Sequence, residues 1–168
     1  MRLAGRSDID YSDFVRRKRL AILLALLALM LVASVITSPA RTLRTNAALL
    51  TGAQIEPRVF AIIQRSCQDC HSEATHYPWY DYIFPASWLV TNDVTGGRKH
   101  LNFSHWSEYS LVRRMRSLSE IANQVKDGDM PLFQYTLIHR GARLSPADVD
   151  AIFQWTQAER ARLIAAGR

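Results

Sequence analysis

Cysteine is scarce: the 168 residues hold two, Cys67 and Cys70. Two thiols do not make a structural zinc site, which takes four protein ligands. The single disulfide they allow would close a loop too short to remove much entropy from the unfolded chain. Charge is missing altogether from Leu20 to Ala40. Cationic excess is small where a nucleic acid would need it. The net charge of +6 divides into six Lys/Arg against three Asp/Glu over residues 1–40, and fifteen against twelve over residues 41–168. Half of the excess therefore sits in the N-terminal segment, and nucleic acid is excluded as a partner. Arg113-Arg114-Met115-Arg116 reads as the solvated face of a helix. No internal repeat or low-complexity tract is present.

Both cysteines fall in one pentapeptide, Cys67-Gln68-Asp69-Cys70-His71. C-x-x-C-H is the attachment signature of a c-type haem. Thiols one helical turn apart can add to the two vinyl groups of one haem, and the adjacent imidazole can ligate iron as the proximal axial ligand. The expected cofactor is therefore a single covalent haem c held by Cys67, Cys70 and His71. A redox-active dithiol is the rival, but that motif belongs in a βαβ context, and no strand pattern surrounds this one.

Arg16-Arg17-Lys18-Arg19 immediately precedes the uncharged run. Residues 20–40 would reach about 31 Å as a helix, close to the roughly 30 Å hydrocarbon core of a bilayer. The apolar heart, Leu20 to Ile36, is shorter, and flanking cations can snorkel to absorb the difference. By the positive-inside rule residues 1–19 stay in the cytoplasm and the rest is carried across. The expected location is thus the bacterial cytoplasmic membrane, single-pass, with the larger domain on its outer, periplasmic side. A cleaved signal peptide competes with this reading. Its apolar region is usually shorter, and Ser38-Pro39-Ala40 makes a poor cleavage site.

The remaining pattern is helical. Residues 41–55, with Thr42, Thr45, Thr51 and Gly52, read as a tether, and residues 56–168 as one domain. Pro57 suits the first turn of a helix carrying Val59, Phe60, Ile62 and Ile63. From His76 to Trp88 run two prolines and six aromatic residues, either ordinary core or the apolar wall of a haem pocket. A short helix is expected from Pro85 to about Val94, ended by Gly96-Gly97. Leu111, Met115, Leu118, Ile121, Ala122 and Val125 mark an amphipathic helix, with Gly128 as its terminator. Ser145-Pro146 resembles a capped start, followed by an inward face of Val149, Ile152, Phe153, Trp155 and Thr156. The fold class is all-α: one transmembrane helix, then a small cytochrome c-like helical domain.

One iron position is left to assign. Met130, in Asp129-Met130-Pro131 after the amphipathic helix, is the first candidate for the distal ligand, and Met/His ligation suits electron carriers. The alternative for Met130 is a gap-filling core residue, a role that fits Met115 better. Among histidines His100 stands foremost. His105 lies in the same polar stretch, His76 is too near the motif to reach the other face easily, and His139 reads as a satisfied side chain. An open or water-bound site is the third possibility.

The ordered string Cys67-Gln68-Asp69-Cys70-His71-Ser72, Tyr77-Pro78-Trp79-Tyr80, Pro85-Ala86-Ser87-Trp88, Gly97-Arg98, Leu101-Asn102-Phe103-Ser104-His105-Trp106, Gly128-Asp129-Met130-Pro131 and Tyr135 resembles the small haem-binding domain family of bacterial membrane-anchored c-type cytochromes. The resemblance runs from about Pro57 to Trp155 and leaves residues 1–56 outside. It implies a monohaem helical domain with attachment at Cys67 and Cys70, proximal ligation by His71, and Met130 at the family's Met-Pro position. The functional expectation is a tethered carrier of single electrons, with redox proteins as partners and no enzymatic activity. A haem sensor or small peroxidase would need an open sixth site and a polar distal group such as His100 or Arg98. A haem subunit of a larger membrane complex is the remaining reading.

Overall fold

The computed structural model describes residues 7–39 and 48–167. Residues 1–6 of the expected cytoplasmic tail, residue 40 at the end of the expected span and residues 41–47 of the tether lie outside the described residues. Among the described residues the chain is all-α, with seven α-helices, short 3-10 turns and no strand. The chain divides into two compact units, Met1–Arg41 with Tyr77–Asn92, and Thr42–His76 with Asp93–Arg168.

In the first unit, α1 (Ser7–Thr37) carries the cationic cluster and the apolar run on one continuous helix. It starts earlier than the uncharged run because nothing in Ser7–Arg19 breaks a helix. It is the one helix among the described residues that is long and apolar enough to cross a membrane. Its last turn holds residues 82–91 through hydroxyl groups. The Ser34 hydroxyl donates to the Met30 carbonyl at 2.7 Å and accepts the Phe84 amide at 2.9 Å. Thr37 and Ser87 hydroxyls lie 2.6 Å apart, and Thr91 donates to the Thr37 carbonyl at 2.9 Å. The aromatic run is not core: Trp79 is 75% and Trp88 53% exposed.

In the second unit, α2 (Pro57–Ser66) begins at Pro57 as expected, and α3 (Gln68–His71) follows after a break at Cys67. α5 (Leu111–Lys126) buries Leu118, Ile121, Ala122 and Val125 against α7 (Pro146–Ala166), while Leu111 stays exposed at the helix start. α7 opens with a capping box: Ser145 accepts the Asp148 amide while Asp148 accepts the Ser145 amide. Its buried face is Ile152, Trp155, Thr156, Glu159 and Leu163; Phe153 is exposed, with the Lys126 ammonium 5.9 Å over its ring.

α4 (Ala86–His100) corrects an expectation. It runs straight through Gly96-Gly97 instead of ending there. Glycine weakens a helix interior by roughly 1 kcal/mol without forbidding it, and tertiary packing at Gly97, described below, outweighs that cost. The described part of the segment read as a tether is also packed. Leu50 is buried in the core, and the Gln54 carbonyl accepts the Trp155 indole N–H at 2.9 Å.

The carboxylate that secures this strap had no sequence signal. Glu159 is buried and binds both forks of Arg162 at 2.6 Å while accepting the Gln54 amide at 3.2 Å. Arg162 also reaches the Gly52 carbonyl at 3.1 Å. Breaking a buried pair costs roughly 3–5 kcal/mol, but Arg162 keeps 30% of its side chain in solvent and can rehydrate. Glu159→Ala is therefore expected to lower stability by about 2 kcal/mol, read as a shift in the urea midpoint of the full chain in detergent.

Candidate haem site

Cys67 closes α2 and opens α3, so Cys67, Cys70 and His71 lie within one helical turn. Neither cysteine is in a disulfide. Among the described residues no three His, Cys, Asp or Glu side chains gather into a metal-binding cluster. Burial, followed by the neighbouring Cys70, pushes the Cys67 thiol up to about 12. Reactive cysteines shift the other way, toward thiolate at neutral pH, so Cys67 is not set up as the attacking thiol of a dithiol pair.

His71 is oriented from behind. Its Nδ1 lies 3.1 Å from the Gly97 carbonyl and 3.0 Å from the Leu101 carbonyl. Two acceptors require Nδ1 to carry the proton, which leaves the Nε2 lone pair for a metal; this backing of a ligating imidazole is the usual device for fixing its tautomer. Burial lowers the His71 pKa, opposed by those two bonds, so the ring favours the neutral form that ligation needs. Phe103, deep in the core, sets its ring 6.0 Å from the imidazole. Gly97 has a second task. A Cβ there would collide with the Cys70 carbonyl oxygen, so α4 approaches the motif backbone to backbone.

The turn after the motif is clamped. The Arg98 guanidinium donates to the Ser72 carbonyl and to Thr75 Oγ1, both at 2.8 Å, and pairs with Glu73 at 3.1 Å. Asn102 donates to Glu73 at 2.6 Å, and Ser104 accepts the Glu73 amide at 3.0 Å. Arg98 is thus committed to holding the backbone. His105 pairs with Glu108 at 2.8 Å. His76 and His100 are exposed, and His100 adjoins Leu101, whose carbonyl backs the Nδ1 side of His71. The His139 ring stacks on Tyr135 with centroids 4.2 Å apart.

Met130 is delivered by the end of α5. Gly128, at φ +78°, occupies the left-handed conformation of a Schellman turn. The Gly128 amide reaches the Val125 carbonyl, and the Asp129 and Met130 amides both reach the Gln124 carbonyl, at 3.0 and 3.1 Å. The chain then enters α6 (Phe133–Ile138), which is tied to the motif itself. Tyr135 donates its hydroxyl to Asp69 Oδ2 at 2.8 Å. Burial, and then Asp69, push the Tyr135 pKa up, so the phenol stays protonated; negative charge on either cysteine would raise it further. α6 leaves Phe133, Leu137 and Ile138 exposed, apolar surface of the kind a porphyrin covers. Asp69 and Tyr135 escaped the sequence reading as a pair because their bond joins residues far apart in the chain.

Two cysteines outside any disulfide on one turn, an imidazole with one nitrogen fixed, and exposed apolar side chains on α6 fit a haem. The model of the haem-binding domain family matches residues 25–158, beginning inside α1 and so well upstream of Pro57. No curated protein and no solved structure matches the chain. A match over most of the sequence makes this chain a member of the haem-binding domain family.

Proposed function

We propose that the chain is a membrane-anchored monohaem c-type cytochrome that passes single electrons on the outer face of the cytoplasmic membrane. Cys67 and Cys70 hold the haem through thioethers, His71 is the proximal ligand and Met130 the distal one. Haem supplies the one-electron chemistry, and the protein tunes it through axial ligands and burial. The observation that carries the reading is His71, with Nδ1 held by two carbonyls, in the same turn as Cys67 and Cys70. α1 serves as the anchor, with Arg16 to Arg19 kept in the cytoplasm by the positive-inside rule. Redox proteins near the same membrane are the partners, met at high local concentration because the carrier is tethered.

The remaining side chains favour a carrier over a sensor or peroxidase. Arg98 is spent on the turn at 72–75, and His100 adjoins the residue that backs His71 on its Nδ1 side. Met130 at the distal position shuts out exogenous ligands and raises the potential. Carbon monoxide binding to the reduced full chain tests this: slow or absent binding is expected, and rapid binding would turn the assignment to a sensor.

Tyr135→Phe tests the support of that loop. It removes one bond to a charged acceptor, a loss of roughly 1.5–3 kcal/mol, and unties α6 from Asp69. The expected result is faster carbon monoxide binding and a weakened Met–iron absorption band, with the haem still attached.

A further inference from the structure

We propose that residues 79–89 form an interfacial collar seated in the outer lipid interface of the bilayer that α1 spans, with Trp79, Ile83, Phe84, Trp88 and Leu89 in contact with lipid. The inference rests on the reading of α1 as the anchor. These five side chains are 75, 40, 38, 53 and 37% exposed. Five exposed apolar side chains within eleven residues of a small unit call for a covering phase. Its one carboxylate, Asp81, is buried, so the surface offers no charged side chain to a polar protein partner.

Depth follows from the helix. Ser34 stands about 22 Å beyond Arg19 along α1 and Thr37 about 27 Å, at 1.5 Å per residue. Against a hydrocarbon core of roughly 30 Å, the groups bonded to them lie at the outer edge of that core. Val35 and Ile36 on the same turn are 80 and 77% exposed. The collar therefore continues the apolar surface of the span itself. Tryptophan at this level is the usual composition of a membrane's aromatic belt.

Backbone at such a depth must satisfy its own polar groups, and this segment does so around its bend. The Ile83 amide reaches the Tyr80 carbonyl at 3.1 Å, the Phe84 amide reaches Ser34, and Pro85 has no N–H to satisfy. The Ser87 and Leu89 amides then reach the Ile83 and Pro85 carbonyls at 3.0 and 3.2 Å. Ser34 fills both roles of its hydroxyl, so no donor is left facing lipid there.

The test places the photoreactive analogue p-benzoyl-phenylalanine at position 79, 88 or, for reference, 153 of the full haem-loaded chain. Each protein is reconstituted in phosphatidylethanolamine–phosphatidylglycerol vesicles, floated on a density gradient and irradiated, and lipid adducts are quantified by mass spectrometry. The expected result is co-flotation with lipid adducts at 79 and 88 several-fold above those at 153. Co-flotation with adducts at 79 and 88 no higher than at 153, or adducts to protein in place of lipid, overturns the collar and leaves the anchor standing. A chain that does not float overturns both.

Discussion

Gly97→Ala is expected to destabilise the second unit and impair haem loading, while Gly96→Ala, one residue earlier on the same helix, is expected to stabilise it. The two glycines differ in what surrounds them. At Gly96 nothing lies within 4 Å of an added Cβ, so alanine recovers the usual helix propensity, about 1 kcal/mol. At Gly97 the added carbon meets the Cys70 carbonyl, and neither α4 nor the motif has a flexible end to move aside. Overpacking of this kind costs about 1–3 kcal/mol. The displacement also shifts the Gly97 carbonyl away from His71 Nδ1, releasing the ring whose orientation prepares it for iron. Denaturation midpoints of both variants, with the haem content of purified protein, check the pair. Shifts of the same sign, with haem content unchanged, would remove Gly97 from the site.

Met130→Ala is expected to change the cofactor's electronic state and leave its attachment intact. With Met130 as the proposed distal ligand, its loss lowers the reduction potential by a sizeable part of the about 0.8 V range that axial ligands command. It also abolishes the long-wavelength Met–iron band and admits carbon monoxide to the reduced protein. Stability should fall little, because Met130 is only half-buried and the turn that presents it is built by Gly128 and the Gln124 carbonyl. Redox titration and visible spectra of the variant decide the matter. An unchanged potential and spectrum would take Met130 out of the coordination sphere and assign it to packing.

What could be read in the sequence is what is decided locally. The C-x-x-C-H motif, the cationic cluster before an uncharged run, the capping box at Ser145 and the left-handed Gly128 each act over a few residues, and each signals itself through residue type and spacing. The features that escaped are made by distant partners. Gly96-Gly97 looked like a stop because its neighbour, the Cys70 carbonyl, belongs to another helix. Glu159 is buried because the Gln54 amide and Arg162, itself bonded to the Gly52 carbonyl, converge on it. The aromatic run at 77–88 offered core or pocket as readings, and its bonds to Ser34 and Thr37 give it a different setting. Tyr135 stands in the family-like string without a role of its own, and that role follows from its bond to Asp69, inside the C-x-x-C-H motif.

The central claim is covalent haem on Cys67 and Cys70 with His71 and Met130 as axial ligands. The most direct test is to express the full chain with a c-type haem attachment system. Purified protein is then run on a denaturing gel stained for haem, beside its oxidised and reduced visible spectra. The expected result is haem that stays with the chain through denaturation, a low-spin spectrum, and a Met–iron band in the oxidised state. Haem that leaves the chain on the gel, or a chain that takes up none, would contradict it.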